Sequence, residues 1–149
     1  MGQVDLVKPA VSRHALMALE LAAMALEQHI DLDELVTSWF APGVYARQIH
    51  LQAETMVMGK IHKHAHLNML MMGTVEVASE FHTETFAAPR IWVSEPGIKR
   101  AVYTLVDAMW ITIHPNPDDT QDLDKIEDEV IALNYEQLDC FLHGQLEKL

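Results

Sequence analysis

The order of hydrophobic and polar positions divides the chain into three segments. In the first, apolar residues recur at the three- and four-residue spacing of a helix that begins at Ser12 and runs to about His29. The second segment begins at Val44 and consists of short runs with strand character, and the helical spacing returns after Pro115. The apolar face of the first helix consists of Leu16, Leu19, Ala23 and Leu26, widened by Met17, Leu21 and Met24.

The central segment contains about eight strand-like runs at regular spacing, separated by Gly, Pro and Asp residues. This arrangement is typical of a β-sandwich or a small β-barrel. Gly73 follows an apolar run and precedes Thr-Val-Glu-Val, so it predicts a tight hairpin. The runs are Tyr45–Gln52, Thr55–Met58, Leu67–Met72, Thr74–Phe81, Glu84–Phe86, Ile91–Ser94, Arg100–Leu105 and Met109–His114.

Helices are predicted on both sides of the strands, and the length of the chain fits one mainly β domain, residues 1–149. Its parts are an N-terminal helical segment (1–43), the strands (44–115) and acidic C-terminal helices (116–149). A further short helix is predicted from Asp31 or Asp33 through Trp39. Another helix is predicted after Thr120, which would cap it, and its buried residues would be Leu123, Ile126, Val130 and Ile131. The last predicted helix spans Tyr135–Leu146.

The chain is strongly acidic, and its charge is unevenly distributed. The formal net charge is −12, of which −8 lies between Pro115 and the C-terminus. The sequence has no Lys and Arg cluster of the kind that displaces counterions, so nucleic acids and anionic membranes are excluded as partners. The most apolar stretch, Ala15–Leu26, contains Glu20 and is shorter than the roughly 20 residues that span a bilayer. A single cysteine, Cys140, favours a reducing compartment, and we expect a cytoplasmic protein.

Three histidines at alternate positions, His62, His64 and His66, are the strongest sign of chemistry in the sequence. In an extended strand they point to one face about 7 Å apart, from where imidazoles can converge on one metal ion. Imidazole suits Zn, Fe, Ni, Cu and, with oxygen ligands, Mn. His114 ends another strand and is a further candidate ligand. A solvent-facing histidine row, or histidines hydrogen-bonded in a core, are the alternatives that the residues leave open.

These histidines and the glycines around them resemble the first motif of the cupin family. That motif has a Gly, two histidines one residue apart, a Glu, and a further Gly seven positions after the Glu. Here Gly59 precedes His62 and His64, His66 stands in the place of the Glu, and Gly73 follows at the right distance. The spacing between the histidine pair and the Glu position is compressed relative to the family.

The second cupin motif resembles the segment Pro96–Arg100, in which Arg100 stands where the family has its last metal ligand. A guanidinium stays charged at any relevant pH, and a divalent cation beside it would repel it unless an anion lay between them. Either Arg100 points elsewhere, or the pocket holds an anionic ligand such as a carboxylate or phosphate. Asn68 and Tyr103 are further candidate ligand-binding residues, and Trp92 and Trp110 are expected in the core. Positive charge near the same strand ends also comes from Lys60, Lys63 and Lys99.

The chain is also similar to small cupin-like proteins encoded in bacteriophage genomes, over about residues 40–133. The similar stretches include Gly59–Lys63, His66–Leu70, Pro96–Arg100 and Trp110–Pro115. This resemblance implies a phage or prophage origin, and therefore the cytoplasm of a host cell, but no established activity.

The cupin resemblance implies a single antiparallel β-barrel of the jelly-roll type with helices at both ends. It also implies a divalent transition metal (Zn, Fe, Mn or Ni), with His62, His64, His66 and His114 as candidate ligands. Three functions stay open: a metal-binding cupin that holds a small anionic molecule, a metal-free isomerase or epimerase with a histidine base, and a non-enzymatic phage structural or host-interaction protein. Whether the protein is an enzyme is left open. The broad apolar first helix and the common pairing of cupins predict a homodimer.

Overall fold

The computed structural model describes residues 12–25 and 32–148, and within these ranges the chain forms three α-helices, one 3₁₀ turn and eleven strands. The helical elements are α1 (Arg13–Ala25), the 3₁₀ turn (Leu32–Leu35), α2 (Leu123–Val130) and α3 (Tyr135–Leu146). The strands are β1 (Val36–Ala41), β2 (Gly43–Leu51), β3 (Met56–Met58), β4 (Ile61–His62), β5 (His66–Met72), β6 (Thr74–Ala78), β7 (Thr83–Ala87), β8 (Arg90–Ser94), β9 (Ala101–Thr104), β10 (Ala108–Asn116) and β11 (Ile131–Ala132).

The strands form two antiparallel sheets and one short ribbon. The larger sheet has the order β1-β2-β10-β5-β8, the smaller has the order β3-β9-β6-β7, and β4 pairs with β11. All strand pairs are antiparallel. Each of the eight runs predicted from the sequence overlaps one of these strands, so the prediction of a mainly β fold is confirmed.

The main hydrophobic core lies between the two sheets, which pack face to face. Side chains of the larger sheet and of the smaller sheet contribute to one cluster, as two layers with alternating inward residues require. Trp110 belongs to this cluster and Trp92 packs against it, which confirms the prediction that both are core residues. The cluster consists of Ile49, Leu51, Leu70, Val75, Val77, Phe86, Val102, Ala108 and Trp110.

The segment before β2 differs from the prediction. A helix through Trp39 is wrong, because the helical part ends at Leu35 and the residues from Val36 form β1, which pairs with β2 along its whole length. β1 contains β-branched and aromatic residues, which fit a pleated, half-buried surface better than a short isolated helix.

Helix α1 begins where the sequence predicts it. The Ser12 hydroxyl accepts a hydrogen bond of 3.1 Å from the backbone N–H of Ala15, which makes Ser12 the N-cap. Two ion pairs connect the helix to the sheets: Arg13 to Glu80 at 2.7 Å, and Glu20 to Lys99 at 3.0 Å. The predicted continuation to His29 lies outside the described residues. None of the helices in the described ranges combines the length and the apolar character needed to cross a bilayer.

Helix α2 starts later than the sequence analysis predicts, because Asp122 rather than Thr120 is its N-cap. The Asp122 carboxylate accepts hydrogen bonds from the backbone N–H groups of Asp124 (3.1 Å) and Lys125 (3.3 Å). A carboxylate at this position also interacts favourably with the helix dipole. Thr120 instead accepts a hydrogen bond from the N–H of Asp122.

The two C-terminal helices cover one end of the sandwich. Ile126 and Val130 of α2 form a buried cluster with Tyr45 of β2. Ile131, expected in the same helical stripe, starts β11 instead. Helix α3 spans the predicted residues and buries Leu138 against Ile61.

We expect Gly73→Ala to destabilise the fold strongly. Gly73 has a φ of +95°, and a Cβ atom there would lie 2.4 Å from the carbonyl oxygen of Asp107 and 2.8 Å from Cα of Ala108. The left-handed backbone costs a residue other than glycine about 1 kcal/mol, and the backbone clash should add about 2 kcal/mol. Gly43→Ala is the matched control, because Gly43 also has a positive φ (+74°) but open space around its Cβ position. Urea unfolding should show a clearly larger loss of unfolding free energy for Gly73→Ala than for Gly43→Ala. Equal losses in the two variants would contradict the backbone clash at Gly73.

Candidate metal centre

The inward face of the larger sheet carries a row of residues that contains two histidines. The register places His114 of β10 opposite Tyr45 of β2, and His66 of β5 opposite Ser94 of β8. Residues directly opposite each other in antiparallel strands point to the same face. The rings of His66 and His114 consequently lie side by side, with centroids 4.9 Å apart. Sheet pairing therefore joins two histidines that are far apart in the sequence.

The third histidine, His62, comes from the ribbon rather than from the larger sheet. It ends β4 and pairs with Ile131 of β11, directly after α2. Its carbonyl oxygen accepts a hydrogen bond of 2.8 Å from the N–H of Gly97. Its ring lies 4.1 Å from that of His66 and 5.2 Å from that of His114, measured between centroids. Backbone pairing on both sides thus holds His62 over the sheet pair.

Together His62, His66 and His114 offer three imidazole nitrogens that all lie within 4.8 Å of one another. Two tetrahedral ligand atoms at about 2.1 Å from an ion lie about 3.4 Å apart, so small rotations of the rings would bring the three nitrogens to this separation. Of these residues, His66 and His114 are buried and His62 is partly buried. The three side chains therefore form a compact group of ligands with the composition that transition metals prefer.

The hydrogen bonding of His66 leaves one of its nitrogens available to a metal. Its Nδ1 lies 3.2 Å from the carbonyl oxygen of His64, so we assign the ring proton to Nδ1, which donates to that carbonyl. The other nitrogen, Nε2, is buried without a hydrogen-bond partner. Buried polar atoms without partners are rare in folded proteins. A metal ion at the centre of the three histidines would satisfy Nε2, and the carbonyl fixes the tautomer that this requires.

The surroundings keep all three imidazoles uncharged at neutral pH. Burial lowers the pKa of His62 to about 2, assisted by the neighbouring His66 and His114 and by the positive charges of Arg100 and Arg47. Burial and His66 lower the pKa of His114 to about 4, and burial together with Arg100 lowers the pKa of His66. Neutral imidazole is the form that binds metals, so protons do not compete for the ligands at pH 7.

Arg100 lies beside the histidines and is held by a buried polar network. One guanidinium nitrogen, Nη2, donates to Ser94 Oγ at 2.8 Å, and the same oxygen accepts from Asn68 Nδ2 at 2.6 Å. The amide oxygen of Asn68 in turn accepts from Trp110 Nε1 at 2.9 Å. Asn68 therefore uses both ends of its amide within the protein, and its role is to position Ser94 and Arg100.

The positive charge of Arg100 has no counter-ion within the part of the protein that the structure describes. Burial lowers its pKa to about 10, so the guanidinium is still charged at neutral pH. No carboxylate in residues 12–25 and 32–148 lies within ion-pair distance of it. Arg100 is partly buried, so an unpaired charge there is costly, and a bound anion would reduce this cost.

A second arginine, Arg47, was not among the candidates from the sequence. It lies on β2 opposite Thr112 of β10, and Thr112 lies opposite Asn68 of β5, so all three face inward. The register places it two residues along β2 from Tyr45, the partner of His114, and its charge lowers the pKa of both His62 and His114. The alternation of side chains along β2 could have identified Arg47 from the sequence, because Arg47 points to the same face as Tyr45.

The histidines and both arginines line one cavity of about 370 Å³ between the sheets. Apolar side chains such as Ile49, Val102 and Trp110 form much of its wall, and α2 covers it with Ile126 and Val130. A cavity of this size accepts a small molecule, and its few polar groups converge near the histidines.

His64 and Tyr103 do not join this group. β4 ends at His62 and β5 begins at His66, so residues 63–65 interrupt the extended backbone on which the predicted alternation depended. The ring of His64 is exposed and meets Phe141 edge-on, with centroids 5.2 Å apart. Tyr103 lies on β9 opposite Met56 and Glu76, outside the cavity lining.

The three lysines near the strand ends have partners of their own. Lys60 pairs with Glu127 at 2.5 Å. Lys63 donates to the carbonyl of Asp128, and Lys99 donates to Glu20 and to the carbonyl of Gly59. The positive charge beside the histidines therefore comes from the two arginines, whereas three exposed acids, Asp33, Asp124 and Glu127, also line the cavity.

We expect acid to destabilise the metal-free protein through these histidines. Because their folded pKa values lie below the ordinary 6.5, the unfolded chain binds protons between pH 6.5 and about 4 that the folded chain does not bind. This stability is complete above pH 6.5 and decreases as the pH falls, by about 2 kcal/mol at pH 5 for His114 alone. Urea unfolding in chelating buffer at pH 7 and pH 5 measures it. Between the two pH values, the free energy of unfolding of His114→Gln should fall by less than that of the wild type. An equal fall in both proteins would contradict the lowered pKa of His114.

No protein-family model and no curated protein matches the sequence. Solved structures do match: a cupin-2 domain protein from Shewanella frigidimarina is 13% identical, with 65% of this chain and 92% of that chain covered and a TM-score of 0.44. KdgF from a Halomonas species is 15% identical (64% and 94% covered, TM-score 0.47), and the cupin domain of Schizosaccharomyces pombe Cnp3 is 13% identical (66% and 72% covered, TM-score 0.47). The chain is thus similar to cupin structures at low identity and at TM-scores below 0.5.

Proposed function

We propose that this protein is a cupin-type metal-binding protein that holds a small anionic ligand in its cavity. The observation that carries the proposal is the convergence of three uncharged imidazoles, from His62, His66 and His114, on one side of that cavity. The ligands would be these three, with a divalent transition metal such as Zn, Fe, Mn or Ni. When bound, the ion would supply a Lewis acid facing the cavity.

The positions of the two cupin-like motifs support this assignment. The N–H of Gly59, at the start of the first motif, donates to the carbonyl of Arg100 at 2.7 Å. In return, the N–H of Gly97 in the second motif donates to the carbonyl of His62 at 2.8 Å. The two motifs therefore lie against each other beside the cavity. The third imidazole, however, comes from His114 on β10, because Arg100 occupies the ligand position of the second motif.

The two arginines make an anion the chemical complement of this cavity. Arg100 lies near His62 and His66, and Arg47 lies near His62 and His114, as their effects on the histidine pKa values indicate. A carboxylate or phosphate between an arginine and the histidines would neutralise the buried guanidinium charge and accept hydrogen bonds from it. The apolar wall formed by residues such as Ile49 and Val102 suits the rest of a small organic molecule.

The role of each group follows from its contacts. Asn68 and Ser94 orient Arg100, the His64 carbonyl orients His66, and α2 limits the access of water to the cavity. A neutral histidine left free of metal could also accept a proton from a bound ligand.

Metal binding is tested by removing single histidines. After chelation, the wild-type protein should bind about one equivalent of Zn²⁺ or Co²⁺ in calorimetry, with Co²⁺ giving visible absorption from nitrogen ligands. His62→Ala, His66→Ala and His114→Ala should each weaken binding by about a hundredfold or more, because each removes a direct ligand.

His64→Ala is the matched control for this experiment, since it removes an imidazole two residues from each of two proposed ligands and retains the carbonyl that orients His66. Its affinity should equal that of the wild type. No stoichiometric metal on the wild-type protein, or an equal loss in His64→Ala, would count against the proposal.

Anion binding is tested with inorganic phosphate and oxalate in chelating buffer. At constant ionic strength these anions should raise the melting temperature of the wild type and of Arg90→Gln, whose arginine pairs with Glu84 outside the cavity. The same anions should have little effect on the melting temperature of Arg100→Met.

Arg100→Met should also be more stable than the wild type when no anion is present, by about 1 kcal/mol, because it removes a partly buried charge that has no counter-ion among residues 12–25 and 32–148. A less stable Arg100→Met that still responds to both anions would contradict the role of Arg100.

A further inference from the structure

Arg47 is a second cation in the cavity, and the proposed metal site gives it no role. It lies on β2 directly opposite Thr112 of β10, and both side chains line the cavity. Within residues 12–25 and 32–148, its guanidinium forms neither an ion pair nor a side-chain hydrogen bond. A guanidinium presents five N–H donors in a planar fork that matches a carboxylate. Arg47 therefore offers an unused group for binding an anion.

Thr112 adds a buried hydroxyl beside Arg47. Its Oγ1 is shielded from solvent and has no hydrogen-bond partner in the part of the chain that the structure describes. The hydroxyl of Ser38, on the other side of Arg47 in the same row, lies 3.3 Å from that of Tyr45 and so has a protein partner. Leaving a buried hydroxyl unpaired is costly, and a ligand in the cavity can satisfy it. Thr112 and Arg47 together therefore form a second polar position in the cavity wall.

The sheet register separates Arg47 from Arg100. Arg100 donates to Ser94 of β8, which lies opposite His66 of β5. Arg47 belongs to β2, and the strands β10 and β5 lie between β2 and β8. Three strand spacings of about 4.8 Å put the backbones of Arg47 and Ser94 roughly 14 Å apart along the sheet. The two guanidinium groups therefore approach the cavity from opposite sides of the strands that carry His114 and His66.

We propose that the cavity binds a small molecule with two acidic groups, one held by Arg100 and the other by Arg47 and Thr112. This inference rests on the proposed function, because the first of these groups is the anion already assigned to Arg100. A single small anion at Arg100 would leave Arg47 and the Thr112 hydroxyl without partners. A molecule with two acidic groups supplies a counter-ion to each arginine, and its carbon chain can lie along the apolar wall.

The acids that line the cavity limit the length of this ligand. They are Asp33 on the 3₁₀ turn and Asp124 and Glu127 on α2, and all three are exposed. Because they face solvent, their charges repel an anion at the outer end of the cavity more than one beside the buried Thr112 hydroxyl. A short dicarboxylate, with both ends deep in the cavity, therefore fits better than a long one that extends towards α2.

Calorimetry with matched acids tests the inference on metal-free protein in chelator-free buffer. Succinate is compared with butyrate, and glutarate with pentanoate, because the members of each pair have equal carbon counts and differ by one carboxylate. At pH 7 and constant ionic strength, the wild type should bind one molecule of the better dicarboxylate at least about tenfold more tightly than the matched monocarboxylate. Arg47→Met should remove this preference and change monocarboxylate binding by less than about twofold. Arg90→Gln, whose arginine pairs with Glu84 outside the cavity, is the control and should keep the preference.

Thr112→Val tests the second position without changing the charge. It should raise the melting temperature of the ligand-free protein, because it removes a buried hydroxyl that has no partner among the described residues. It should also weaken binding of the better dicarboxylate by about fivefold and leave the matched monocarboxylate unaffected. Circular dichroism of Thr112→Val and Arg47→Met should match the wild type, which shows that both variants are folded.

The outcomes separate failure of this inference from failure of the proposed function. Equal affinity of the wild type for the matched acids would overturn the inference. So would a preference that Arg47→Met retains, or the binding of two dicarboxylates per chain. In each of these cases, monocarboxylate binding that is lost in Arg100→Met would leave the proposed anion site intact. If none of the four acids binds at millimolar concentration, both the inference and the proposed anionic ligand are wrong.

Discussion

The antiparallel register of β2, β10 and β5 is the constraint on which the rest of the molecule depends. Side chains alternate between the two faces of each strand, so a shift of one residue in β10 would exchange its two faces completely. His114 and Thr112 would then point outward, and Ile113 and Ile111 would enter the cavity. Trp110 opposes such a shift, because it is buried in the core and its indole N–H bonds to Asn68. The packing that stabilises the sandwich therefore also determines which residues can meet a ligand.

The same cavity carries groups that cost stability. Three imidazoles are held neutral by burial, and the guanidinium of Arg100 is partly buried beside them, with a serine hydroxyl as its one hydrogen-bond partner among the described residues. Residues whose pKa values are strongly perturbed in a cavity are typical of functional sites rather than of structural cores. The apolar contacts between the two sheets have to offset this cost. This explains why the hydrophobic cluster and the polar groups occupy neighbouring parts of one interior.

The sequence predicted much of the sheet structure, because strand periodicity and Gly or Pro punctuation are local signals. All eight predicted runs overlap strands, and α3 spans the predicted residues. The helix through Trp39 was wrong because its short apolar run fits either period, and only the pairing of β1 with β2 decides between them. Two-residue strands such as β4 carry no periodic signal, so the break between His62 and His66 could not be anticipated.

For the candidate site, spacing predicted His62 and His66 as neighbours, and strand position suggested His114. It could not exclude His64, because that required knowledge of the turn at residues 63–65. Arg47 was overlooked although the alternation of β2 places it on the inward face, since no motif drew attention to it. The partners of Lys60, Lys63 and Lys99 depend on tertiary contacts with α1, α2 and the backbone, which no local pattern reveals.

The pairing of β4 with β11 has a mechanical consequence. His62 pairs across the ribbon with Ile131, the residue that follows α2, and the N–H of the next residue, Lys63, donates to the carbonyl of Val130 at 2.8 Å. The helix that covers the cavity and one of the three imidazoles are therefore connected through the backbone of the ribbon. A ligand too large to pass beside α2 would have to displace this helix. Displacing α2 would also move His62 away from His66 and His114. Entry of a large ligand and the arrangement of the three histidines are therefore mechanically linked.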